Sequence, residues 1–172
     1  MRAPQLVTYA GFIAYGITVR TSNDIELDPQ QAQRRQIWRR FYDEGLPARL
    51  AANSQNGRVV GVYTDYENAA RGAYTITVGV EILRADTADT GLHVAQVSPG
   101  EYLRFSAYGM GPDALVAAWS EVWDFFNKNE HPLARRYERA FTADFERYGD
   151  PERISIFVAV KRKLGAGSSP HD

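Results

Sequence analysis

The sequence predicts an α+β fold in which a strand–helix–strand–strand unit occurs twice. Apolar patterns of period two and period 3.6 follow one another in that order in residues 11–83 and again in residues 92–161. Three short matches support a duplication, because IWRRF parallels VWDFF, TDYE parallels ADFE and ITVGVEI parallels ISIFVAV. We expect one domain over residues 1–163, in which each half packs its helix against its own strands.

The first half starts with a strand over residues 11–20, where large apolar residues alternate with small or polar ones. A helix is predicted to start at Asp28, because Asp caps helices well and the proline that follows is tolerated at the first helical position. It is expected to end at Gly45, since glycine favours the conformation that terminates helices. Strands over residues 58–66 and 74–83 follow, and the glycine in the turn between them predicts a hairpin.

The second half follows a small, polar linker at residues 84–91. Its helix opens at a Gly-Pro-Asp sequence and carries Trp119 and Trp123 on an apolar stripe, which indicates core packing first and a ligand wall second. A tail at residues 164–172 is expected to be disordered. The strands of this half, the first of them bent at its Ser-Pro-Gly sequence, are predicted at residues 92–109, 139–148 and 154–161.

Composition and charge exclude several classes of protein. The chain has 172 residues, no cysteine and a net charge of −1, which excludes disulfides, thiolate chemistry and an overall basic field for nucleic acid. The three histidines have no metal-ligand spacing, so we expect neither a metal nor a cofactor. No apolar run reaches the ~18 residues of a membrane span, and no secretory signal is recognisable, so a cytoplasmic protein is expected. The arginines between residues 34 and 40 are expected to form a solvated helix face.

The strand FTADFERY places two carboxylates, Asp144 and Glu146, on one face, because side chains alternate along a strand. The negative charge of acids on an aromatic-rich strand has to be solvated or neutralised, by water or by a cationic ligand. If Glu146 faces a cavity lined by aromatic rings, the charge and the rings would together attract a cation. The alternative is that Glu146 forms an ion pair at the surface with Arg139, Arg147 or Arg153.

Five motifs together resemble a known family. VVGVYTDYEN, VSPGEYLRFSAYG, AWSEVWDFF, RAFTADFERYGD and ISIFVAVK are similar to the GyrI-like small-molecule-binding domain. This is the effector-binding domain of AraC-type and multidrug-sensing regulators, which also occurs as free-standing proteins, some of them on integron cassettes. The resemblance covers residues 11–161. It implies two βαββ modules related by pseudo-twofold symmetry, with an antiparallel sheet, two main helices and a ligand cleft between the modules.

The resemblance also implies a ligand and a site. In drug-sensing members an acidic residue on the penultimate strand faces an aromatic pocket and recognises lipophilic cations, and the motif places that residue at Glu146. The aromatic wall positions carried over as candidates are Tyr66, Tyr102, Tyr108, Trp119, Trp123 and Phe157. We therefore expect a free-standing domain that binds small, apolar, cationic molecules. Nothing before residue 11 resembles a DNA-binding domain, so direct DNA binding by this chain is not expected.

Two other functions stay open at this point. Some GyrI-like proteins resemble hydrolases of reactive compounds, in which case Glu146 would be the base and Tyr102 or Tyr108 the proton donor. Alternatively, the domain binds a protein partner, as in gyrase inhibition, through exposed strands or the arginines of residues 34–40. A homodimer is compatible with any of these functions.

Overall fold

The structure is a computed structural model that describes residues 3–54, 57–82, 91–109, 111–150 and 153–165. The predicted linker, apart from its last residue, and the tail from residue 166 onward lie outside the described residues. None of the described helices is long and apolar enough to cross a membrane. The elements, in chain order, are β1 (Gln5–Tyr9), β2 (Phe12–Ser22), α1 (Asn23–Leu27), α2 (Gln33–Asp43), α3 (Leu46–Leu50), β3 (Val59–Thr64), β4 (Ala73–Ile82), β5 (His93–Val97), β6 (Gly100–Tyr108), α4 (Gly111–Lys128), α5 (Pro132–Arg136), β7 (Tyr137–Arg139), β8 (Asp144–Asp150) and β9 (Arg153–Arg162).

The strands form one antiparallel sheet, which confirms the predicted α+β class with an antiparallel sheet. Eight strands follow the order β1-β6-β9-β8-β3-β4-β2-β5, and β7 pairs with the C-terminal end of β9. The strand order is symmetric about the centre of the sheet: β3 corresponds to β8, β4 to β9 and β2 to β6. The central pair is β3 with β8, one strand from each half. A duplicated βαββ unit would give this order, and the pseudo-twofold duplication itself stays a prediction.

The two faces of the sheet carry different cores because side chains alternate along each strand. The helices cover one face, where Ile37 and Phe41 of α2 and Val122 of α4 belong to the larger core cluster. A smaller cluster occupies the opposite face, where Phe145 and Phe157 stack with ring centroids 4.5 Å apart. Each strand of the central pair therefore contributes side chains to both cores.

The first main helix does not start at the predicted residue. Asp28 ends the short helix α1, and its carboxylate accepts a hydrogen bond from the backbone N–H of Gln30, which forms a turn. Helix α2 starts at Gln33, where the Glu26 carboxylate accepts the N–H groups of Gln33 and Arg34. A carboxylate at this position satisfies unpaired helix donors and favours the helix dipole. The predicted end at Gly45 is confirmed, with a φ of 63°.

The strand predicted over residues 139–148 is interrupted. Phe141 has a φ of 53°, in the left-handed region, so β7 ends at Arg139 and β8 begins at Asp144. The turn lets the Arg139 guanidinium fold back onto the Asp144 carboxylate at 2.5 Å.

Two short helices, α3 and α5, lie where no helix was predicted, and each has a proline in its first turn.

Candidate functional site

Glu146 is a fully buried carboxylate at the centre of the sheet. Strand β8 places it opposite Gly61 of β3 and Ile156 of β9, on the face that the helices cover. Its side chain has an exposed fraction of 0%, which is rare for a glutamate. The alternative, a surface ion pair of Glu146, is not found among the described residues: Arg139 pairs with Asp144, Arg147 pairs with Glu81, and Arg153 donates to the Tyr108 hydroxyl.

Three neutral donors bind the Glu146 carboxylate. The Tyr63 hydroxyl and the Trp119 indole N–H both donate to Oε1, the latter at 2.6 Å, and the Tyr148 hydroxyl donates to Oε2 at 2.7 Å. In the described part of the chain, no arginine or lysine nitrogen forms a salt bridge with this carboxylate. The carboxylate is therefore held by hydrogen bonds and has no direct counter-ion among the described residues.

Glu146 and its three donors Tyr63, Trp119 and Tyr148 form the Glu146 cluster, and burial sets the ionisation of its carboxylate and of its two tyrosines. Desolvation raises the pKa of Glu146 above its ordinary value of 4.5, and the nearby Arg34 guanidinium and the three hydrogen bonds oppose that rise. Burial also raises the pKa of Tyr63 and of Tyr148 well above 10, and the neighbouring carboxylate adds to both shifts. Both hydroxyls therefore stay protonated and remain donors at neutral pH.

A cavity of about 690 Å³ lies between α1, α2 and the first turns of α4, next to this cluster. Its volume is within the range of small-molecule sites, and residues of both halves line it. Trp38 and Tyr148 meet edge to face on its wall, with ring centroids 4.8 Å apart. The apolar part of the lining consists of Leu27, Pro29, Ala32, Trp38, Tyr42, Leu115, Val116, Tyr148 and Ile154.

Trp38 and Tyr148 connect the cavity to Glu146. Tyr148 lines the cavity and donates to the carboxylate. A Cβ placed on Gly61 would lie 3.0 Å from Glu146 Oε2 and 3.0 Å from Cζ2 of Trp38, so the indole approaches the carboxylate across this glycine. The indole N–H of Trp38 is buried without a hydrogen-bond partner. The two rings thus form the wall between the buried charge and the cavity.

Gly61→Ala is expected to lower the free energy of unfolding by about 1–3 kcal/mol, because the added methyl group would overpack the contact between Trp38 and Glu146. Urea denaturation measures the change. Gly100→Ala is the matched control, since a Cβ there has no heavy atom nearer than 4.0 Å and the backbone is not in the left-handed region. A loss below about 0.5 kcal/mol at Gly61 would show that this contact is not tight.

A second, much smaller pocket lies on the other side of the cluster. Its volume of about 20 Å³ is enough for roughly one water-sized group. Tyr63 and Trp119, which donate to Glu146, belong to its lining together with two arginines, Arg34 and Arg139. Arg34 lines both cavities. The lining is completed by Asn23, Tyr66, Ala69, Ala70, Tyr74 and Trp123.

The structure brings together four of the seven predicted site residues. Trp119 binds Glu146 directly, and Tyr66 and Trp123 line the small pocket with it. The hydroxyl of Tyr66 donates to the buried Asp144 carboxylate at 2.7 Å.

The other three predicted residues lie elsewhere. Tyr102 and Phe157 belong to the core cluster on the opposite face of the sheet, and the Tyr102 hydroxyl donates to the carbonyl of Ser98 at 2.8 Å. Tyr108 is 68% exposed and accepts a hydrogen bond from Arg153. Neither tyrosine that the hydrolase alternative named as a proton donor is hydrogen-bonded to Glu146.

Sequence reasoning missed Tyr63, Tyr148, Trp38 and Arg34. The position of Tyr148, two residues after Glu146, was a usable signal because period two puts both side chains on one face. Tyr63 lies in the earlier aromatic motif YTDYEN, but it reaches Glu146 only through the pairing of β3 with β8. Trp38 and Arg34 reach the site through the packing of α2 on the sheet, for which the sequence carries no local signal.

Comparison with known proteins gives four results. A family model described as "Cass2: Integron-associated effector binding protein" matches residues 5–160. An integron cassette protein from the mobile metagenome of Vibrio cholerae is 30% identical, with a TM-score of 0.77 over 93% of this chain and 97% of its own. The protein SAV2435, solved with tetraphenylphosphonium bound, has the same fold, with a TM-score of 0.71 at 22% identity over 92% of this chain and 93% of its own. A Bacillus subtilis (strain 168) protein named as a transcriptional regulator, YobU, is 27% identical over 164 residues, which is 86% of this chain and 91% of its own.

Proposed function

Since the chain belongs to the Cass2 family of integron-associated effector-binding proteins, we propose that it binds a lipophilic organic cation in the larger cavity. The observation that carries the proposal is the Glu146 carboxylate, which is fully buried, has only neutral donors as direct partners and lies behind two aromatic rings of the cavity wall. A buried negative charge that no salt bridge neutralises is stabilised when a cation approaches. The protein of the same fold that was solved with tetraphenylphosphonium supports the choice of ligand class.

The wall of the cavity suits the apolar part of such a ligand. Leu27, Tyr42 and Val116 line it and are each more than half exposed, so a ligand would cover apolar surface that now faces solvent. Trp38 and Tyr148 present rings to the cavity, and a cation against a ring face gains about 0.5–2 kcal/mol. The cavity thus combines apolar contact, aromatic faces and a buried negative charge.

The cavity wall also contains arginines. Arg34 is largely buried near Glu146 and offsets part of its charge, whereas the exposed arginines at the rim are mostly screened. Arg35 pairs with Asp113 at 3.6 Å and Arg39 pairs with Asp43 at 3.3 Å, and all four side chains are mostly exposed. Exposed charges interact across water, where two unit charges 4 Å apart gain only about 1 kcal/mol. The charge of Glu146 acts through a buried medium of lower dielectric constant. We therefore expect the buried carboxylate to determine which sign of charge binds.

Two ions of nearly the same shape and opposite charge test the proposal. Tetraphenylphosphonium is expected to bind at least tenfold more tightly than tetraphenylborate, because only the cation is attracted to Glu146. Isothermal titration calorimetry on the full chain at pH 7 and fixed ionic strength measures both affinities. Equal affinities would indicate a purely hydrophobic cavity, and tighter binding of tetraphenylborate would show that the rim arginines determine selectivity. Either result would refute the proposal.

A further inference from the structure

The small pocket beside Glu146 has two guanidinium groups in its wall, those of Arg34 and Arg139. The remaining walls are largely aromatic, and the ring of Tyr63 contacts those of Tyr74 and Trp119 there. Neither guanidinium is among the three groups that donate hydrogen bonds to the Glu146 carboxylate. The pocket is therefore rich in hydrogen-bond donors, and both guanidinium groups lie over aromatic rings.

The hydrogen-bonding capacity of both guanidinium groups is incompletely used. Arg34 donates to the Tyr74 hydroxyl over a long distance of 3.5 Å, and its Nε is buried without a partner. Arg139 donates through Nη2 to Asp144 at 2.5 Å, and its Nε is also buried without a partner. Each guanidinium has five N–H donors, and buried donors are normally satisfied. The missing partners around this pocket are acceptors.

The two arginines of the pocket differ in how their positive charge is compensated. Asp144 neutralises Arg139, but in the described part of the chain no carboxylate lies within salt-bridge distance of Arg34. Two acids act on Arg34 through space: Glu146, whose oxygens already accept three hydrogen bonds from neutral donors, and Glu26, whose carboxylate accepts the backbone N–H groups of Gln33 and Arg34. Arg34 is thus a largely buried cation that lacks an ion-pair partner, next to a pocket with room for one small group.

We propose that this pocket is a subsite for a small anionic group held between Arg34 and Arg139. The volume admits a halide or the carboxylate end of a larger molecule, and excludes a larger anion as a whole. Guanidinium donors recognise such groups by charge-assisted hydrogen bonds. The group can be a free ion or the carboxylate of an organic acid, since guanidinium donors bind both in the same way. The subsite does not depend on the cation that we propose for the larger cavity, and it is tested with different ligands.

Bromide is a direct probe of this subsite. Crystals of the full chain soaked in sodium bromide are expected to show an anomalous peak between Arg34 and Arg139 in the wild type and none in Arg34→Met. Arg40→Met is the matched control, because Arg40 is on the same helix, is exposed, pairs with Glu44 and lines neither cavity. Absence of the peak in the wild type, or an unchanged peak in Arg34→Met, would overturn the proposal.

Solution measurements extend the test and distinguish the two sources of the anion. At constant sodium concentration, with fluoride as the balancing ion, bromide is expected to raise the Tm of the wild type and of Arg40→Met, but not of Arg34→Met. If the natural group belongs to an organic acid, 1-naphthoate should raise the Tm at concentrations at least tenfold lower than acetate; if it is a free ion, the two should act alike. Arg34→Lys, which keeps the charge and loses the planar fork, should give a smaller shift with bromide than the wild type, and it serves as the test if Arg34→Met does not fold. A bromide shift equal to that of the wild type in both Arg34 variants would overturn the proposal.

Discussion

Glu146→Gln is expected to weaken the binding of tetraphenylphosphonium about 50-fold. The estimate follows from two unit charges about 7 Å apart at an effective dielectric constant of about 20, which attract by roughly 2.4 kcal/mol. The fold should tolerate the change, because an amide oxygen can accept from Tyr63 and Trp119 while the amide nitrogen donates to the Tyr148 hydroxyl. Calorimetric titration of both proteins measures the difference. The affinity for tetraphenylborate should not fall, because the variant removes only a negative charge.

The matched control for this variant is Glu67→Gln. Glu67 lies in the turn between β3 and β4 and pairs with Arg20, and its side chain is 69% exposed. Removing an exposed charge should leave the affinity for tetraphenylphosphonium within about twofold of the wild type. If both variants bind as the wild type does, the buried carboxylate plays no part in recognition.

The pH dependence gives a second readout of the same carboxylate. The ionised form attracts a cation, so affinity should fall as the pH drops through the pKa of Glu146. Burial raises that pKa, and the loss should begin at a higher pH than for an ordinary glutamate. The affinity of Glu146→Gln should not fall in this pH range.

The free energy of unfolding of the wild type depends on pH in the opposite direction. Because the pKa of Glu146 is raised in the folded state, its contribution to stability is fully present below its unfolded pKa and is lost as the pH rises through its folded pKa. The variant should therefore gain stability relative to the wild type as the pH increases.

Much of the fold could be predicted because most helices and strands are determined by residues that are neighbours in the sequence. Period-two alternation identified β2, β3, β4 and β9, and the apolar stripe with its Gly-Pro-Asp start identified α4. The family resemblance, which rested on several such segments in one order, is confirmed by the family model and by the Vibrio cholerae cassette protein. The start of α2 was missed because its cap is Glu26, a side chain of the preceding helix, and Asp28 forms a turn instead.

The site was predictable only in part because it depends on which strands pair and on which face each aromatic ring lies. Glu146 was found because its charge is unusual on such a strand, and this can be recognised without knowing the neighbours. Tyr102 and Phe157 are as aromatic as Trp119, but the register of β6, β9 and β8 places them on the face of Phe145. A shift of one residue would have reversed the face of every side chain. Aromatic content alone therefore could not separate the two cores.

Arg139→Met is expected to destabilise the fold by about 3–5 kcal/mol, because it leaves the carboxylate of Asp144 buried without its counter-ion. The two side chains are 10% and 0% exposed and meet at 2.5 Å. Among the described residues, Asp144 would keep two donors, the hydroxyl of Tyr66 at 2.7 Å and the backbone N–H of Ala159 at 2.8 Å. The loss of the cation–π contact between Arg139 and the ring of Phe141, at 4.3 Å, adds to the effect. Urea denaturation at pH 7 measures the change.

Two further variants decide whether the buried ion pair is the cause. Arg136→Met, three residues earlier and exposed, should change the free energy of unfolding by less than about 0.5 kcal/mol. Combining Arg139→Met with Asp144→Asn should recover part of the loss, since the second change removes the uncompensated charge while an amide oxygen can still accept the hydrogen bonds of Ala159 or Tyr66. If the double variant is as unstable as the sum of the two single variants, the pair is not coupled, and the cost comes from lost packing around Phe141. A coupled pair would mean that the left-handed turn at Phe141, which interrupts the predicted strand, contributes to stability by bringing this arginine onto its acid.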